Sequence, residues 1–154
     1  MKNQTACFTG HRHIAPNELE AVSHRLENVL IELIEKGYRY FGSGGALGFD
    51  LLAAQAVLNL KENYPQIRLI LVLPCADQTK FWSKSEIDYF EKVKSQADKA
   101  VCLSEKYYSG CMHKRNRHLV DNSSVCISYL RKHSGGTYYT VEYAKTQKIE
   151  IIAI

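Results

Sequence analysis

The stretch Gly110–Glu142, GCMHKRNRHLVDNSSVCISYLRKHSGGTYYTVE, decides the fold. A short helix bearing Arg115 and Arg117, a β-branched run over 125–129 and a Gly135-Gly136-Thr137 helix start follow one another directly. A strand leading into a glycine-opened helix is a natural anion seat. The glycines let backbone N–H groups approach closely, and the helix end is positive. Glu142, in the second turn of that helix, adds a carboxylate beside the expected anion.

Outward from this stretch the hydrophobic period switches repeatedly between two and 3.6, which predicts a parallel α/β sheet. Strands are expected at Thr5–Thr9, Tyr38–Gly42, Ile67–Leu73, Ala100–Leu103, Val125–Leu130 and Glu150–Ala153. Helices are expected at Pro16–Lys36, Phe49–Asn63, Ser83–Gln96, Met112–Asn122 and Thr137–Gln147. Leu19, Val22, Leu26, Leu30 and Leu33 repeat at three and four residues, with a proline at the start and Gly37 at the end. The fold class is therefore a doubly wound, mainly parallel six-stranded α/β sheet with helices on both faces. The expected strand order is 3-2-1-4-5-6.

A chain of 154 residues, 45% hydrophobic and 23% charged, suits one domain over 1–154. Its five cysteines are odd in number, widely spaced and free of any C-x-x-C pair, so reduced thiols in a cytoplasmic setting are expected. The N-terminus has no signal-like apolar core, and the apolar run Leu69–Leu73 is too short to span a bilayer. A net charge of +4, with its basic residues dispersed, argues against a nucleic-acid track and for a small anion held by a local cluster.

In a doubly wound sheet, ligands lie beyond the carboxyl ends of the strands, where the order reverses. That rule selects Gly10, His11 and Arg12 after the first strand, and Ser43, Gly44, Gly45, Gly48 and Asp50 after the second. It also selects Tyr107, Tyr108 and Ser109 with Arg115 after the fourth, and Gly135, Gly136 and Thr137 after the fifth. Ser43 stands where the dinucleotide fingerprint has glycine, so the glycine turn alone is a weak signal. Tyr107, Tyr108 and Trp82 offer flat faces for a base, although core packing accounts for them equally well. His113 and His118 are five apart, off the i, i+4 spacing of a zinc pair. No metal site is expected, and Mg²⁺ enters only as companion to a phosphorylated ligand.

Four groups of residues carry a family resemblance: Phe8-Thr9-Gly10-His11-Arg12, Gly44-Gly45-Ala46-Leu47-Gly48-Phe49-Asp50, Gln78 with Trp82, and Ser134-Gly135-Gly136-Thr137. Together with M-H-x-R at Met112–Arg115, they resemble the SLOG superfamily (SMF/DprA-LOG) and, within it, the YpsA-like branch of unknown function. The resemblance implies a Rossmann-like nucleotide-binding protein of bacterial type, and homo-oligomers are common in the superfamily. Its LOG enzymes are nucleoside 5′-monophosphate phosphoribohydrolases, which use an arginine of M-H-x-R-K and the glutamate of P-G-G-x-G-T-x-x-E. Met112, His113, Arg115, Gly135, Gly136 and Glu142 match those motifs, and Asn116, Ser134, Tyr138 and Tyr139 depart from them. Two tyrosines in place of Gly-Thr are expected to reshape or close the phosphate pocket.

The departures fall on the catalytic motif while the phosphate-loop glycines are kept, so a nucleotide-derivative sensor that passes its state to a protein partner ranks first. The ligand would be ADP-ribose-like, NAD-like or a nucleoside phosphate. The alternative is an N-glycosidase using Glu142, Arg115 and Asp50 as catalytic residues, and a single-stranded nucleic-acid binder comes third.

Overall fold

Each period switch in the sequence becomes an element of the structure, a computed structural model that describes residues 1–154. A 3₁₀ turn at Lys2–Gln4 precedes β1 (Thr5–Gly10), α1 (Leu19–Glu35), β2 (Tyr40–Ser43) and α2 (Phe49–Lys61). Then come β3 (Arg68–Leu73), α3 (Lys84–Gln96), β4 (Lys99–Cys102), α4 (Cys111–Asp121), β5 (Val125–Tyr129), α5 (Gly135–Thr146) and β6 (Glu150–Ala153). All six strands pair in parallel in one sheet. The doubly wound, Rossmann-like class is therefore the observed one.

The strand order differs from expectation. It runs β4-β3-β2-β1-β5-β6, so β4 pairs with β3 at the sheet edge and does not lie beside β1. The physical reason is visible in the strands themselves. Lys99, Ala100 and Cys102 of β4 are exposed, whereas all five residues of β5 are buried. A short strand with a lysine tolerates an edge, and a strand buried on both faces belongs inside. β5 accordingly pairs with β1, Cys7 facing Cys126 in the register. The order still reverses at β1, now between β1 and β5.

Three successive units from β1 to β4 place α1, α2 and α3 on one face, over a core of 24 buried residues that includes Phe8, Leu26, Phe41, Phe49 and Leu71. The return crossover puts α4 and α5 on the other face, over Cys7, Val72, Leu119, Val120, Cys126 and Ala144. Leu119 descends onto the sheet because Gly42 has no side chain there; a Cβ at Gly42 would lie 2.9 Å from its Cδ2.

Boundaries follow local chemistry. Ser83 caps α3 in a reciprocal capping box with Glu86, fixing its start. α1 begins three residues later than Pro16 suggests, because Ala15–Leu19 forms a turn in which the Glu18 and Leu19 amides bond back to Ala15 and Pro16. Glu18 itself turns its carboxylate toward β5, to Tyr129 and Arg131.

Candidate functional site

The loops after β1 and β5, the turn after β2 and one face of α4 meet in a cleft of about 630 Å³. Glycine makes the meeting possible. A Cβ on Gly10 would lie 2.4 Å from the Phe49 ring, and one on Gly48 would lie 2.2 Å from the Arg12 carbonyl oxygen. Gly48 also has φ +82°, a left-handed conformation costly to other residues. The start of α2 is thus pressed against the β1 loop, and the Phe49 amide donates to His11 O at 3.1 Å. Phe49 stacks on Tyr129 at 5.7 Å and meets Phe8 edge-on at 6.3 Å, which ties the start of α2 to β1 and β5.

Two helix starts point toward this region, and they differ. At α2 the leading amides are already used: Phe49 N–H bonds to His11 O, Leu51 N–H to Ala46 O and Leu52 N–H to Gly48 O. At α5 no side chain caps the helix, and the amides of Gly135, Gly136 and Thr137 meet no protein acceptor. All three residues line the cleft. An anion would find its unsatisfied donors at α5, as the opening sequence suggests.

Arg115 and Asp50 form the floor. Both are buried, with 4% and 6% of their surface exposed, and Gly44 lies between them: a Cβ there would sit 2.5 Å from the guanidinium and 2.8 Å from the carboxylate. Arg115 donates to the carbonyl of Gly44, to Asn116 Oδ1 at 2.7 Å and weakly to Val72 O. Burial pushes the Arg115 pKa down, and the Asp50 charge opposes that shift. Burial raises the Asp50 carboxyl to about 6, against the lowering effect of Arg115, the Ala46 amide and Arg12. Asp50 is the sole carboxylate lining the cleft.

The β5 loop adds residues that sequence reasoning missed. Arg131 and Lys132 line the cleft, with His13, Asn116 and Ser134. Arg131 is braced by Glu18 at 2.9 Å and lies 4.3 Å over the Tyr129 ring, while its amide donates to His11 Nε2 at 2.8 Å. Burial, then Lys132 and Arg131, lower the His11 pKa and favour its neutral ring. Arg12 and Lys132 take part in none of the molecule's ion pairs. A position immediately after β5 was the available signal for Arg131 and Lys132, overshadowed by the glycines that follow.

Other expected residues stand elsewhere. Ser43 is a brace: its hydroxyl donates to Asp50 O and accepts from Gly45 N–H. Gly44, Gly45 and Gly48 shape the wall without lining the cleft. Trp82 packs edge-on against Phe90 of α3, and Tyr107 and Tyr108 sit exposed near β4, where the Tyr107 amide bonds to Asp77. They follow β4 to the edge, away from the reversal point. Tyr138 and Tyr139 leave the cleft open; Tyr139 turns to α4, accepting from Arg117 and meeting the His113 ring at 4.2 Å. Glu142 pairs with Lys145 at 3.1 Å, half-exposed and outside the cleft.

The YpsA family model, described as the YspA SLOG family, matches residues 8–152. The chain belongs to this family. Among curated relatives, the uncharacterized SPbeta prophage-derived protein YoqJ of Bacillus subtilis is 30% identical over 134 residues, covering 79% of this chain and 78% of its own. The UPF0398 protein YpsA of the same organism is 25% identical over 130 residues, covering 82% and 72%. Of solved structures, DNA processing protein A (DprA) from Streptococcus pneumoniae superposes with TM-score 0.72 at 18% identity, over 99% of this chain. The chain spans half of that protein's length, 50%. DprA from Helicobacter pylori, reported for its single-stranded DNA binding mode, superposes with TM-score 0.71 at 19% identity, covering 99% of this chain and 65% of that one. These likenesses establish a shared fold. No helix of this family member is long and apolar enough to cross a membrane.

Proposed function

We propose that this SLOG protein binds a phosphorylated nucleotide or nucleotide derivative in the cleft between β1 and β5. One observation carries the reading: the uncapped α5 amides open into the same cleft as buried Arg115 and the unpaired Arg12 and Lys132. Phosphate oxygens would take the α5 amides, and the side chains of Arg12 and Lys132 would supply counter-charge. Asp50, which would repel phosphate directly, is placed to accept hydrogen bonds from sugar hydroxyls. The cleft lining contains no aromatic ring other than the His11 and His13 imidazoles, so the phosphate and sugar carry more of the recognition than the base.

The test is thermal shift against ADP-ribose, NAD and nucleoside monophosphates. At least one should stabilise the protein, with the shift largely lost in an Arg12→Glu/Lys132→Glu double variant. No stabilisation by any of them would reject the reading.

The N-glycosidase reading ranks second, favoured by the buried carboxyl whose pKa of about 6 suits proton transfer near neutrality. In that reading Asp50, and not Glu142, takes the proton of the attacking water, and Arg115 steadies the negative charge that develops on the departing base. Released base or ribose phosphate from a nucleoside monophosphate, abolished by Asp50→Asn, would support it. Binding without turnover would leave the sensor reading alone.

A further inference from the structure

The two sheet faces are unequally covered. Three helices lie over one and two over the other, where only a six-residue core forms. Beyond α4, toward the β4 edge, the sheet face is open as a groove of about 600 Å³ that shares no lining residue with the anion cleft. Its floor is Tyr40, Ile70, Val72 and Val101, contributed by three adjacent strands, and Leu119 of α4 forms one wall. Val72 and Val101 are register partners, so the floor is continuous across the β3–β4 pair.

The uncovered strands offer the footprint of one helix. One helix, about 10 Å across, covers two strands spaced about 4.8 Å apart, and about 13 helical residues match the ~20 Å length of a six-residue strand. The rim has a sign: Lys2, Arg68 and Lys99 surround the floor. The lone rim carboxylate, Asp98, is already paired with Lys61 and accepts the Leu69 amide. A second copy docking face to face about a two-fold axis would set this basic rim against itself.

We propose that the groove docks an amphipathic helix of a partner protein, with an apolar stripe facing Ile70, Val72 and Val101 and acidic flanks facing the basic rim. The partner completes the second helical layer. Charge complementarity sets its orientation and its salt dependence.

Two fluorescein-labelled synthetic helices of about 16 residues test this, with the same leucine stripe and either glutamate or lysine flanks. By anisotropy, the glutamate peptide should bind about tenfold more tightly than the lysine peptide at low salt, a preference that shrinks as salt rises. Lys2→Glu/Lys99→Glu, exposed substitutions verified for folding by circular dichroism, should reverse it. Amide shifts in the ¹⁵N-labelled protein should centre on Ile70 and Lys99–Cys102. Equal affinity for both peptides, absence of binding, shifts confined to another surface, or a dimer in light scattering that Lys99→Glu disperses would each overturn the proposal.

Discussion

At the scale of the residue, Asp50 shows how this site is built against stability. Its folded pKa of about 6 lies above the ordinary 3.8, so between those values the folded state holds the proton that the unfolded chain has released. The contribution of Asp50 to stability therefore falls as pH rises from about 4 to about 6 and is level above. The accumulated cost is about 2–3 kcal/mol. Asp50→Asn should match the parent near pH 4 and exceed it by roughly that amount at pH 7.5 in urea denaturation; a less stable variant at pH 7.5 would contradict this account. The sequence exposed Asp50 through its place one residue inside a glycine-led helix, but its burial against Arg115 depends on packing that no motif encodes. Glu142 was legible only through motif register. Seven residues along α5 from Gly135 is about 10 Å along the axis, which carries it to Lys145. Glu142→Gln should leave nucleotide affinity within about twofold in calorimetry, because its carboxylate does not reach the cleft.

At the scale of the element, glycines of equal sequence prominence have unequal jobs. Gly48 combines a positive φ with backbone atoms 2.2 Å from any added Cβ, whereas Gly135, also at positive φ, faces open space. Gly48→Ala should cost about 2–4 kcal/mol by chemical denaturation, from strain plus a displaced β1 loop. Gly135→Ala should cost only about 1–2 kcal/mol. Equal losses would show that the β1 loop yields freely and that its contact with α2 does not fix the cleft. Periodicity made all five helices and all six strands readable to within a few residues. The expected order set β4 beside β1, and the structure pairs it with β3 at the edge, because strand order is decided by which strands can be buried on both faces. The exposed Lys99 was the local sign of an edge.

At the scale of the whole molecule, the reversal point at β1 and β5 gathers donors from distant parts of the chain, while β4 carries Tyr107 and Tyr108 to the periphery. Of the residues that the strand-end rule selects, those after β1 and β5 and Arg115 meet in one cleft, whereas Tyr107 and Tyr108 after β4 lie outside it. With Arg12 and Lys132 unpaired, nucleotide affinity should weaken as ionic strength rises from 50 to 300 mM in calorimetric titrations; salt-independent affinity would show that these cations stay out of the complex. The most direct test of the central claim is an amide NMR titration of the ¹⁵N-labelled protein with ADP-ribose and nucleoside monophosphates. At least one ligand should give saturable shifts concentrated at Gly10–Arg12 and Gly135–Thr137, whereas unmoved signals there for every ligand, or shifts gathered around Phe81 and Tyr107, would contradict it.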